Sequence, residues 1–396
     1  KAAWVVLCAL ALVAGCMAHA RAKVWTSSLT FWADDLQKYP DDVIGLNNRA
    51  TTYINSGDLG KAMSDLNHAM RANPDYPLTY LNRGLISKSL GKDKDAFDDF
   101  NHALLLTTTL PEAYINLGNL LTQAGDYTHA LENYRKALIC NWRQDGAYVN
   151  MGACYFKMGD IGHALESYSM ALAFNPNLFD AWSNRGYVCL AAGNPACAES
   201  DTDHAMALEP GHWNVLLTRG IARQQLGKGQ AALEDFNAAL ALKADSPEIF
   251  FNRGFLFLQA GNPEQAVADF TSALNLRKDY QDARINRASA YYMAKNVQAA
   301  LQDLDAVIAY DPKSVQAYNN RARIRQESGD INGAMNDYNL AIKLKPDFAR
   351  AYANRAMLLY NTSGCAKASG DIKKALELDK NTRFIDGIDK CFPATR

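Results

Sequence analysis

A dominant charge sign is the first thing this chain lacks: 41 Lys and Arg against 42 Asp and Glu leave a formal net charge of −1 over 396 residues. Without a basic excess or an acidic tail, nothing in the composition points to nucleic acid. Catalytic signatures are missing as well. No HExxH, GxGxxG, GxSxG or Walker pattern occurs, which removes the usual sequence marks of a zinc protease, a dinucleotide site, a hydrolase elbow and a phosphate loop. Histidine is scarce, and five of the seven fall on two registers: His68, His102 and His204 on one, His129 and His163 on the other. Side chains spread at one repeat interval read as outward decoration, too far apart to share a metal. No cofactor is expected.

Long apolar runs are absent except at the start. AAWVVLCALALVAGCMAHA (Ala2–Ala20) carries no charged residue before Arg21, and about 20 such residues span a bilayer as a helix. Three readings stay open: a retained transmembrane helix, a cleaved signal peptide, or a lipoprotein signal, since VAGC ending at Cys16 resembles a bacterial lipidation motif. The chain begins at Lys1 rather than Met, as a fragment would.

What the sequence has is repetition. A 34-residue period runs without insertion or deletion from Val43 to Thr382, giving ten units that start at Val43, Pro77, Pro111, Asp145, Phe179, Trp213, Pro247, Gln281, Val315 and Ala349. Position 8 of every unit is Gly or Ala, position 20 is always Ala, and position 27 is Ala except at Val307. Position 24 is usually bulky, as at Phe100, Tyr134, Tyr168, Phe236, Phe270 and Tyr338. Small residues let two helices approach, and the bulky one fills the space between them. Gly at position 15 followed by Asp or Asn, as in Gly57-Asp58 and Gly125-Asp126, ends one helix and caps the next. Pro195 and Pro263 then sit where a missing N–H costs little.

This pattern resembles the tetratricopeptide repeat family, over residues 43–382. The resemblance implies an all-α, right-handed superhelical solenoid of ten helix pairs, with the first helix of each pair lining the concave face. Each pair buries its core only against its neighbours. Residues 21–42 read as linker and capping helix, with Trp25, Leu29, Trp32, Leu36 and Tyr39 on one apolar face, and residues 383–396 as a closing helix and tail around Phe384, Ile388 and Cys391. The stretch from the apolar segment to the repeats is also similar, at Arg21, Trp25, Trp32 and Pro40, to the membrane-to-repeat junction of the transmembrane and tetratricopeptide-repeat O-mannosyltransferases. That likeness covers about 40 residues, carries no catalytic residue, and implies an enzyme domain upstream of Lys1.

Arginine occupies position 7 in eight units (Arg49, Arg83, Arg185, Arg219, Arg253, Arg287, Arg321, Arg355), inside an otherwise apolar run. Aspartate occupies position 23 in eight units, and both series break in the same two, where Leu117 and Met151 face Asn133 and Ser167. Shared exceptions predict an Arg–Asp pair within each unit. Six cysteines lie beyond the apolar segment. Cys189 and Cys197 flank one turn, a Cys365–Cys391 bridge would staple the end, and Cys140 and Cys154 are more poorly offset; ordinary thiols remain the alternative.

The expected working surface is the concave groove. Position 6 is Asn in nine units, and Asn82, Asn116, Asn150, Asn184, Asn252, Asn286, Asn320 and Asn354 are its candidate ladder. An amide both donates and accepts, so it suits a peptide backbone of any sequence. In related long superhelices a comparable row holds extended peptides, though Asn can also simply solvate a helix. Tyr187, Phe251, Phe255 and Leu258 are the expected apolar anchors, centred on the fifth to eighth units. Glu112, Asp180, Glu248 and Asp282 at position 2 favour a neutral or basic extended segment over an acidic tail. Three roles follow: a membrane-anchored protein-binding scaffold on the export side (periplasm or lumen), the repeat part of a membrane glycosyltransferase, or an envelope lipoprotein adaptor.

Overall fold

The computed structural model describes residues 24–382 throughout, with residues 4, 10, 12–15, 17, 19, 22, 384 and 391. It divides into two compact units, Lys1–Gly193 and Asn194–Arg396. Among the described residues every regular element is helical. The first unit contains α1 (Ser28–Lys38), α2 (Val43–Asn55), α3 (Leu59–Ala72), α4 (Pro77–Ser89), α5 (Asp93–Leu106), α6 (Pro111–Gln123), α7 (Tyr127–Cys140), α8 (Asp145–Lys157), α9 (Ile161–Phe174) and α10 (Phe179–Ala191). The second contains α11 (Pro195–Leu208), α12 (Trp213–Gln225), α13 (Gly229–Leu242), α14 (Pro247–Gln259), α15 (Pro263–Leu276), α16 (Gln281–Met293), α17 (Val297–Tyr310), α18 (Val315–Glu327), α19 (Ile331–Leu344), α20 (Ala349–Ser363) and α21 (Cys365–Leu378).

The turns follow from their residues. Gly57, Gly125, Gly159 and Gly329 adopt φ between +81° and +88°, where a Cβ is penalised. The next residue then caps the following helix: Asp58, Asp126, Asp160 and Asp330 each accept a backbone N–H three residues on. Lys295 takes the glycine's place once, with φ +64°. The last pair departs from the scheme. Its α20 continues to Ser363, and Gly364 alone, at φ +80°, separates it from α21.

Packing explains the small residues. A Cβ built on Gly84 would lie 2.6 Å from the Phe100 ring, and on Gly118 2.5 Å from the Tyr134 ring. At Ala50, Ala288 and Ala356 the residue across the pair is the smaller Leu66, Leu304 or Ile372, whereas Ala322 still faces Tyr338; all four facing side chains are fully buried. Every alanine at position 20, and every position-27 residue including Val307, is fully buried. Within each unit, successive helices form a solenoid-like stack. The even-numbered helices also touch one another along it, as in α2–α4, α8–α10, α16–α18 and α18–α20. They form one wall.

Seven of the arginines pair within their own helix pair. Arg49, Arg253, Arg287, Arg321 and Arg355 each bind both carboxylate oxygens of the expected Asp at 2.7–2.8 Å. Arg83 with Asp99 and Arg219 with Asp235 also reach both carboxylate oxygens, at 2.5–3.1 Å. Arg185 and Asp201 fall in different units. Where the pair is missing, Asn133 and Ser167 donate to their own helix at His129 and His163 carbonyls, opposite buried Leu117 and Met151. A third arm was not expected. The remaining guanidinium nitrogen reaches position 25 of the preceding pair: Arg219 to Asp203, Arg253 to Asn237, Arg287 to Thr271, Arg321 to Asp305 and Arg355 to Asn339, at 2.6–3.1 Å. Each of these five arginines therefore ties its own pair together and its pair to the one before.

At the N-terminal end Ser27 caps α1 in a reciprocal box with Thr30, and Leu36 is buried with Leu46 and Ala69. The expected apolar face is shorter than its spacing suggested. Trp25 lies in the turn before α1 and Tyr39 just past its end, and both are 64% exposed. The expected membrane or signal helix, residues 1–20, falls largely outside the described residues; among those described, no helix is long and apolar enough to cross a membrane. The expected closing helix, 383–396, also lies outside them, apart from Phe384 and Cys391, which pack on Ala356, Ala368 and Ile372. Cys391 is disulfide-bonded to Cys365. Cys189 and Cys197 fall in different units, and Cys140 and Cys154 are free thiols.

Candidate peptide-binding groove

A groove of about 1110 Å³ opens along the even-numbered wall of the second unit. Positions 2, 5, 6 and 9 of α16, α18 and α20 supply most of its lining, an i, i+3, i+4, i+7 spacing that puts them on one helix face. Asn286, Asn320 and Asn354 from the predicted row stand together there, with Phe251 at one end.

These amides are held by their own wall. Asn286 Nδ2 donates to the Asp282 carbonyl one turn earlier at 2.8 Å, and Asn252 does the same to Glu248. Asn354 donates at 2.9 Å to Oδ1 of Asn319, which in turn donates to Asn320. Each bond uses one N–H and fixes the side chain. Asn252, Asn286 and Asn354 keep a second N–H and an oxygen with no donor among the described residues, both available to a ligand. A ligand meeting amides already fixed in place loses less side-chain freedom on binding.

Elsewhere the row is similar but not gathered into one site. In the first unit Asn82 donates to Asn47, Asn150 to Asn119, and Asn116 to the Glu112 carbonyl while accepting from Lys88. Asn184 is exposed, and Tyr187 is exposed with an edge against Phe156. Asn252 does not line the groove, nor do Phe255 and Leu258. Those two pack with Phe251 over the cluster of Phe270, Ala273 and Leu274. All three stay half-buried, and Phe251 is shared between the groove and its neighbours Tyr280 and Phe270, at 5.0 and 5.9 Å.

Several lining residues escaped the sequence reading: Gln316, Asn319, Ser289, Arg323 and Asp379. Asn319 had a visible signal. Position 5 is apolar in most middle units, yet Asn47 and Asn319 stand there buried, 4% and 2% exposed, and each receives the row's next asparagine. Arg323 lies over the Tyr292 ring at 5.4 Å, and the Tyr292 hydroxyl donates to Glu327. Burial raises the Glu327 carboxyl above its ordinary value.

Family models described as tetratricopeptide repeat match residues 45–76, 111–141, 146–178 and 257–324, and one described as TPR repeat matches 220–261 and 322–363. No curated protein matches the chain. Among solved structures the chain is similar to YrrB, described as a TPR protein with an unusual peptide-binding site, at 23% identity over 46% of this chain and 95% of that one, with a TM-score of 0.42. It is similar to a tetratricopeptide repeat protein from Parabacteroides merdae at 23% identity, covering 63% and 98%, TM-score 0.44. Yeast Tom70 is similar at 16% identity, covering 87% and 85%, TM-score 0.46.

Proposed function

Since the chain belongs to the tetratricopeptide repeat family, we propose that it is a protein-interaction scaffold holding an extended polypeptide along its inner helices. The observation that carries this is the convergence of Asn286, Asn320 and Asn354 on one groove, with two of them pinned through one N–H, leaving a second N–H and an oxygen of each without a partner among the described residues. Backbone recognition of this kind tolerates many sequences, and pockets beside it supply selectivity.

In the finer reading, ten pairs in unbroken 34-residue phase coil right-handedly. The apolar residues 2–20 attach the array to a membrane on its export side. Trp4, Leu10, Leu12, Val13 and Met17 are all more than half exposed, which suits a lipid contact, and the Cys365–Cys391 bridge suits an oxidising compartment.

The test of the groove is a peptide selected from a random library on the whole chain. Asn286→Ala with Asn320→Ala is expected to weaken its binding about tenfold, at roughly 1 kcal/mol or less per lost hydrogen bond, with little change in Tm. Unchanged affinity would remove the groove as the binding site.

A further inference from the structure

We propose that the second-unit groove selects a bipolar segment: an extended chain with a basic residue against α16 and an acidic residue roughly six positions away, against α18 and α20. This rests on the function proposed above and names what the groove prefers.

The argument is the distribution of unpaired charge. Position 2 of three successive inner helices reads Asp282, Gln316, Arg350, and all three line the groove. The register thus runs from negative through neutral to positive. Arg323, two turns along α18, adds a second cation to the same lining. Most arginines of the wall are committed, as the doubly held Arg287, Arg321 and Arg355 show. Arg350 and Arg323 have no carboxylate partner among the described residues; the contact of Arg323 is the Tyr292 ring. Asp282 has no cation partner among the described residues, whereas Glu248, at the same register one helix pair earlier, is held by Arg277. The other lining acid, Asp379, lies beyond α21 and accepts the Asn381 N–H at 2.9 Å.

Such charges favour a ligand of matching sign and penalise the opposite one. Packed helices stand about 8–10 Å apart, so two steps from Asp282 to Arg350 cover roughly 16–20 Å. An extended chain at about 3.3 Å per residue crosses that in five or six residues. The amides between grip the backbone. This proposal differs from the neutral or basic segment expected from the acidic residues at position 2, because Arg323 and Arg350 share the groove.

Four fluorescein-labelled peptides of about ten Ser, Thr and Gly residues, differing only at two positions roughly six apart, test this by anisotropy with the whole chain. The pairs are Lys/Glu, Lys/Lys, Glu/Glu and Ser/Ser. Lys/Glu is expected to bind roughly fivefold tighter than Ser/Ser, the scale of two exposed charge pairs, and to lose that advantage near 0.5 M salt, where the Debye length is about 4 Å. Arg323→Glu with Arg350→Glu should move the preference to Lys/Lys, and Asp282→Lys should move it to Glu/Glu. Equal affinity for Lys/Glu and Ser/Ser, or a wild-type preference for either single-sign peptide, overturns the inference while the amide grip stands. Failure of all four to bind at about millimolar concentration, well below the affinity a specific site needs, overturns the proposed function and this inference together.

Discussion

At the scale of single residues, the clearest constraint is the contact between position 8 and position 24. Gly84 has no room for a methyl group because the Phe100 ring occupies it at 2.6 Å. Gly84→Ala is therefore expected to cost about 1–3 kcal/mol in thermal or denaturant unfolding, the range for overpacking. Adding Phe100→Leu should recover part of that, because Ala with Leu is the arrangement already used at Ala50 with Leu66; a double variant worse than the sum of both would contradict it. A second residue-scale effect belongs to the α7 cap. Asp126 accepts from both the backbone and the ring of His129. The hydrogen bond to Asp126 raises the His129 pKa above its ordinary value, and the hydrogen bond to His129 lowers that of Asp126. The raised imidazole contributes stability at acid pH that is lost as pH rises through its folded value. The lowered carboxylate contributes above its unfolded value and loses this as pH falls. The interaction is thus strongest between the two. NMR titration should place His129 above a free imidazole, and Asp126→Asn should bring it back down; an unmoved value would refute the contact.

At the scale of helices, the guanidinium network sets register. Within one pair it was legible in the sequence, because two absent arginines coincided with two absent aspartates. The third arm was not, since its acceptors are Asp203, Asn237, Thr271, Asp305 and Asn339. These share an oxygen and a position but are of three residue types, and periodicity of identity does not detect that. Asp269 is buried with Arg253 donating from two nitrogens. Asp269→Ala should cost roughly 3–5 kcal/mol by stranding that charge, and Arg253→Leu with Asp269→Ala should recover much of it. Simple additivity in a double-mutant cycle would show that the two do not act as a pair. The turns were legible for a related reason: glycine at position 15 has a steric cause, so Lys295 at positive φ and the lengthened α20 stand out as departures.

At the scale of the whole molecule, repeat phase predicted a wall with an asparagine row, but not where that row becomes a site. Phe251, Phe255 and Leu258 share one apolar face packed over Phe270, and exposed and shared apolar faces read alike in sequence, so spacing did not show that Phe251 alone of the three also lines the groove. The groove formed instead where position 2 turns from acidic to basic and position 5 becomes Ile285, Asn319 and Ala353. The bridge from Cys365 to Cys391 closes the last pair as its spacing suggested. The central claim is that the amides of this wall receive an extended chain. Its most direct measurement is the side-chain amide NMR spectrum during titration with a selected peptide. Saturable shifts of Asn286, Asn320 and Asn354 are expected, with Asn237 and Asn339 of the arginine network unmoved. Shifts confined to Asn237, Asn339 and their helices α13 and α19 would contradict the account.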